Sequence, residues 1–178
     1  MSNLVKVAEG FHFLEGPRWH ENKLWFSDMH GYKVYNMDAC GNISTVAEIP
    51  EQPSGLGWLP DGSLIIVSML DRRLMKLKNG ELSIHADMSQ LTPFQCNDMV
   101  ISKDGTAYVG NFGTESVESK INKTCLISVS VEGEAKICTD GLLFPNGTVI
   151  SSDGKELIVG ETFGGNLTSF EINESGEL

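Results

Sequence analysis

Pro53-Ser54-Gly55-Leu56-Gly57-Trp58-Leu59-Pro60-Asp61-Gly62-Ser63-Leu64-Ile65-Ile66-Val67-Ser68 holds two short apolar runs around an Asp-Gly pair. Glycine reaches positive φ without steric cost, so Asp-Gly between such runs reads as a tight antiparallel hairpin. The same plan recurs on both sides. It returns from Asn97-Asp98-Met99 through Asp104-Gly105 to Tyr108-Val109-Gly110-Asn111, and from Asn146-Gly147-Thr148 through Asp153-Gly154 to Ile158-Val159-Gly160-Glu161. It also appears at Glu15-Gly16-Pro17-Arg18-Trp19, where Asn22-Lys23 stands in place of Asp-Gly.

Gly16, Gly55, Asp98 and Gly147 align, at intervals of 39, 43 and 49 residues. Two more strand-like pieces follow each hairpin, such as Arg73–Leu77 and Leu82–Ala86 in the second repeat, separated by turn residues such as Asn79-Gly80. Four short antiparallel strands in about 40–50 residues is the arithmetic of a propeller blade. No helical periodicity runs over a useful length. The reading is therefore all-β, a single partial β-propeller over 1–178, with blades at about 14–50, 53–90, 96–141 and 145–178.

The fourth repeat stops after its third strand, Asn166–Ile172. A propeller must close, because open blades expose strand edges and apolar faces. Either Val5 to Ala8 supplies the missing strand of a four-bladed ring, or two further blades lie beyond Leu178. At ~45 residues a blade, six blades need roughly 270 residues.

Bulk properties exclude several function classes. The 178 residues are 40% hydrophobic and 21% charged, an ordinary globular balance. A net charge of −11 argues against a phosphate-backbone partner. The basic cluster Arg72, Arg73, Lys76 and Lys78 reads as a solvated strand face. Cys40, Cys96, Cys125 and Cys138 form no CxxC pair, so free thiols are expected. Neither a signal peptide nor an apolar run of about 20 residues is visible. The expectation is a cytoplasmic protein with no nucleic-acid or membrane partner.

Leu14-Glu15-Gly16-Pro17, Pro53 to Gly62, Ser68 to Leu74, Cys96-Asn97-Asp98-Met99-Val100 and Phe144-Pro145-Asn146-Gly147 resemble blade motifs of the regucalcin/gluconolactonase family, in order and at fitting spacing. The resemblance implies four blades of a six-bladed parent, a metal-dependent lactonase acting on a small, sugar-type lactone. It implies a divalent cation, Ca²⁺ first with Zn²⁺, Mn²⁺ or Mg²⁺ as alternatives, held by Glu15 and Asn146. It places Asn97 beside the cation, against water or substrate. The family's third ligand and general base is an aspartate of the fifth blade, expected beyond Leu178. An Arg that members often carry two residues before the third-blade Asn is Gln95 here. Glu115 falls where some members place a substrate-contacting acid.

The repeat points to the same mouth without the resemblance. Equivalent blade-opening positions converge on a propeller's axis, and here they hold Glu15, Ser54, Asn97 and Asn146. One carboxylate with amide oxygens is a hard-oxygen donor set. Asp28, Ser68, Asn111 and Glu161 form a second ring at the ends of the second strands, for blade-to-blade bonding or channel lining. Asp61, Asp104 and Asp153 read as turn formers, the four histidines as structural, and Trp19, Trp25 and Trp58 as blade-packing residues. With no G-x-S-x-G elbow, a serine hydrolase is disfavoured. A non-catalytic binding propeller and an inactive fragment stand as the alternatives.

Overall fold

The computed structural model describes residues 4–115 and 119–178, which contain fifteen strands. Strands β1 (Leu14–His20), β2 (Lys23–Asp28), β3 (Lys33–Met37) and β4 (Ile43–Glu48) form the first sheet. The second holds β5 (Pro53–Trp58), β6 (Leu64–Ser68), β7 (Arg73–Lys78) and β8 (Glu81–Asp87). The third holds β9 (Cys96–Ile101), β10 (Ala107–Asn111), β11 (Thr124–Val129) and β12 (Ala135–Leu142). The fourth has three strands, β13 (Pro145–Ile150), β14 (Glu156–Glu161) and β15 (Asn166–Glu171). Each sheet is an antiparallel meander in chain order, so each is one propeller blade. Val5 to Ala8 forms no strand, so the four-bladed closure considered from the sequence is not made.

The Asp-Gly turns form as the sequence requires, with Gly62, Gly105 and Gly154 at φ of 80°, 96° and 77°. In the first blade the turn is Glu21-Asn22, one residue earlier than read, with both residues at positive φ. That is the conformation of a two-residue hairpin loop whose twist matches its strands. Asp61, Asp104 and Asp153 accept hydrogen bonds from groups of their own turns: Ser63 N, Thr106 Oγ1 and Ser151 Oγ respectively. Asp61 also pairs with Lys76 and Lys78, and Arg73 with Asp71 and Asp87. The basic cluster thus largely spends its charge on its own blade.

Side chains alternate across a strand, and the second strand of an inner blade must satisfy two neighbours at once. In β6, Leu64 and Ile66 join the cluster shared with the first blade, while Ile65 and Val67 join the cluster shared with the third. In β10, Ala107 and Val109 face the second blade and Tyr108 the fourth. The central cluster between blades two and three gathers fourteen buried residues, against five in each flanking cluster. The fold's centre of gravity is therefore the 2–3 interface.

The outer faces differ. Trp25 and Trp58 meet edge-to-face at 5.4 Å between blades one and two, and His20 stacks on Trp58 at 3.9 Å. Trp19 does not pack a blade: it lies on the opposite side of β1 and is 66% exposed. Phe11 covers part of that free face, with ring centres 5.1 Å from Phe26 and 5.4 Å from Tyr35. On the fourth blade Val149 and Leu167 are exposed.

All four cysteines are free. Burial pushes Cys96 up to about 12 and Cys138 up to about 11, which keeps both thiols protonated and unreactive.

Candidate metal and substrate site

The innermost strands β1, β5, β9 and β13 lie side by side, β5 against β1 and β9, and β9 against β13. Each is bulged against its second strand at the same point. The register slips between Glu15 and Arg18, between Pro53 and Leu56, opposite Asn111–Val109 in the third blade, and between Asn146 and Thr148. A bulge re-aims the side chain beside it and is common next to functional sites. The blade-opening residues Glu15, Ser54, Asn97 and Asn146 sit at these four bulges.

The bulges come in two kinds. Gly16 and Gly147, which follow Glu15 and Asn146, are left-handed, at φ of 56° and 62°. Gly55 and Asp98, which follow Ser54 and Asn97, are not. The first and fourth blades thus share one backbone geometry at the mouth, and the two between share another. Glu15 and Asn146 are half-buried; Ser54 and Asn97 are buried.

Hydrogen bonds tie three of the mouths together. Ser27 Oγ of β2 donates to Ser54 O at 2.6 Å, and Ser54 Oγ donates to Asn97 Oδ1 at 3.3 Å. With Oδ1 occupied, Asn97 keeps its Nδ2 hydrogens for another partner. The strands approach closely: a Cβ on Gly16 would lie 2.8 Å from Ser54 O, and one on Gly55 2.6 Å from Met99 N. At Gly147 the same position meets open space.

Arg18 supplies a contact that sequence reasoning missed. It does not pair with Glu15; its Nη2 donates to Asp98 Oδ1 at 2.7 Å and to Met99 O at 2.8 Å. Burial, and then the nearby Asp98 charge, raise the Glu15 carboxyl above its ordinary value. The only early signal was Asp98 itself, an acid where three repeats carry glycine.

The second ring is structural at its two acids. Asp28 accepts from the backbone N–H groups of His12, Phe13 and Gly31. Glu161 accepts from Leu143 N, Asn166 Nδ2 and Thr168 Oγ1. Burial works to raise both carboxyls, but these donors outweigh it and hold each below its ordinary value. Both acids anchor the segment entering their blade. Asn111 likewise bonds within its own blade, through Nδ2 to Cys125 O and Oδ1 from Gly113 N.

The remaining sequence candidates lie apart. Asn146, Gly147, Glu161 and Leu167 line a groove of about 520 Å³ on the open side of the fourth blade. Gln95 is half-buried, and its carbonyl accepts from Phe112 N at 3.0 Å. Glu115 is exposed in the loop between β10 and β11. Among the described residues no three His, Cys, Asp or Glu side chains gather as a metal-binding group. A cation would therefore rest on Glu15 with amide oxygen, a donor set that fits a hard cation in kind.

The model of the SMP-30/gluconolactonase/LRE-like region matches residues 13–178. The chain belongs to this family. Among solved structures it is similar to a putative gluconolactonase, with a TM-score of 0.80 and 22% identity over 97% of this chain and 64% of that one. A gluconolactonase from Xanthomonas campestris superposes with a TM-score of 0.78 and 19% identity, over 96% and 62% of the two chains. A calcium-binding regucalcin from Agrobacterium tumefaciens gives 0.75 and 18%, over 93% and 56%. The fold is thus a family propeller, and the chain spans about 56–64% of the length of these relatives. Among the described residues no helix is long and apolar enough to cross a membrane.

Proposed function

We propose that the channel mouth binds a divalent cation, Ca²⁺ first, and belongs to a hydrolase of small, sugar-type lactones. The observation that supports this is the shared left-handed bulge after Glu15 and Asn146, which sets these two blade-opening residues apart from Ser54 and Asn97. Glu15 would hold the cation through a carboxylate oxygen and Asn146 through its amide oxygen. When bound, such a cation supplies Lewis acidity toward a lactone carbonyl and lowers the pKa of water. Asn97, with Oδ1 held by Ser54, donates from Nδ2 to a substrate oxygen. Gln95 and Glu115 are the further candidates for substrate contact. The general base is assigned, by family resemblance, to an aspartate of a fifth blade.

Thermal unfolding in excess Ca²⁺ and in EDTA tests the reading. Binding to the folded state alone stabilises it by ~2.7 kcal/mol at a hundredfold excess over Kd. We expect a higher melting temperature in Ca²⁺, lost in Glu15→Gln and reduced in Asn146→Ala, and Ca²⁺-dependent hydrolysis of an aldonolactone. Binding without turnover would favour a cation-binding propeller instead. No shift in the wild type would remove the cation from the proposal.

A further inference from the structure

Asp98 is a carboxylate where β9 closely approaches β5: a Cβ on Gly55 would lie 3.0 Å from Asp98 Cα. It is 7% exposed and lies on the innermost strand of blade three, where the other repeats place glycine. An unpaired carboxylate so buried is strongly disfavoured. Its partner comes from neither its own blade nor the next one. Arg18 reaches from β1 past the second blade, donating to Asp98 Oδ1 and to the carbonyl of Met99, while its Nη1 donates to Pro17 O at 3.0 Å. Arg18 follows Glu15 by three residues and Asp98 follows Asn97 by one. One ion pair therefore fixes the two strands that carry a mouth carboxylate and a mouth amide.

We propose that Arg18 and Asp98 act as one positioning unit, a strut between blades one and three that also occupies the Asp98 carboxylate in an ion pair, leaving Glu15 as the carboxylate of this part of the channel that is open to a cation. The pair does mechanical and electrostatic work together. Arg18 sets the spacing of β1 and β9, and its positive charge keeps Asp98 from drawing a cation away from Glu15. Arg18 and Asp98 touch no reacting atom in this scheme.

The test uses the whole chain as wild type, Arg18→Met, Arg18→Lys, Asp98→Asn and the double variant Arg18→Met/Asp98→Asn. In EDTA each single change should lower the melting temperature, and the double should lose less than the sum. A coupling of about tenfold in the folding equilibrium is expected for a pair in direct contact. Arg18→Lys should recover only part of it, because the guanidinium holds three acceptors at once, Asp98 Oδ1 and Met99 O through Nη2 and Pro17 O through Nη1, in a planar arrangement that a single ammonium nitrogen does not reproduce. Additive losses would overturn the unit.

Calorimetric titration with Ca²⁺, at a temperature where every variant is folded, separates a strut from a charge-setting role. This half rests on the cation reading above. Arg18→Met should bind Ca²⁺ several-fold more tightly, because Asp98 is released, and Asp98→Asn several-fold more weakly. Weaker binding in both would mean a strut alone and would overturn the electrostatic half. If the wild type takes up no Ca²⁺, the cation reading fails, and with it the electrostatic half. The melting cycle still decides the strut.

Discussion

The interface between blades two and three and the free faces of blades one and four are built from the same repeat, yet they carry opposite demands. In the centre, Ile65, Val67, Val109 and Ile127 are fully buried between two sheets. On the free face of blade four, Val149 and Leu167 also lie within strands, at the register positions of Val100 and Leu126, and stand in solvent. A repeat therefore prescribes the strand, while its neighbours decide what each side chain contributes. The first blade takes an intermediate course, since Phe11 from the N-terminal segment covers Phe26 and Tyr35.

The comparison breaks most directly at its strongest point. Ile127→Ala removes a fully buried side chain from the central cluster and should cost about 2–5 kcal/mol in urea unfolding. A cost below that of a surface change would mean that the 2–3 interface does not dominate. Next come the mouth glycines. Gly55→Ala drives a methyl group to 2.6 Å from Met99 N, whereas Gly147→Ala meets open space and only the left-handed φ. The first should cost about 1–3 kcal/mol by overpacking, and the second about 1 kcal/mol of backbone strain. Reversal of that order would show that backbone strain, not blade contact, governs the bulges.

Asp28→Asn sharpens the comparison at the entry of the first blade, with an expected loss of about 1–2 kcal/mol near neutral pH. The Asp28 carboxyl is held below its ordinary value of 3.8. Its contribution is thus full above that value and is lost as pH falls from there through the lowered folded value. Acid unfolding of Asp28→Asn should accordingly be less steep below about pH 4. An unchanged acid limb would exclude Asp28 as an anchor. Leu167→Ala, on the free face of blade four, should change stability by less than about 0.5 kcal/mol. A loss like that of Ile127→Ala would mean that this face is covered in solution, and sedimentation at two protein concentrations would reveal a second copy.

Local chemistry was legible in the sequence, and cross-blade pairing was not. Asp61-Gly62 and its counterparts announced the hairpins because a two-residue turn needs only its own backbone. The alignment of Gly16, Gly55, Asp98 and Gly147 located the mouth. It could not say that two of these positions are left-handed and two are not, since glycine permits either and says nothing until its neighbours are placed. Trp19 read as a packing residue because periodicity cannot tell an inner blade from an outer one. Arg18 stands only three residues after Glu15 in sequence. Its actual partner is eighty residues on, fixed only when three blades are assembled.

Every strand within a sheet pairs with the strand next to it in sequence, so the blades close through local loops, the longest of them the twelve residues between β10 and β11, and the entropy of closing a loop grows only slowly with its length. The ties between blades span far longer stretches: 27 residues from Ser27 to Ser54, 43 from Ser54 to Asn97 and 80 from Arg18 to Asp98. In kinetic terms the chain should zip its meanders early and dock them afterwards, with the Arg18–Asp98 pair among the last contacts made. Truncating Arg18 would then speed unfolding and leave refolding nearly unchanged, a φ-value near zero. A value near one would put the strut in the nucleus instead.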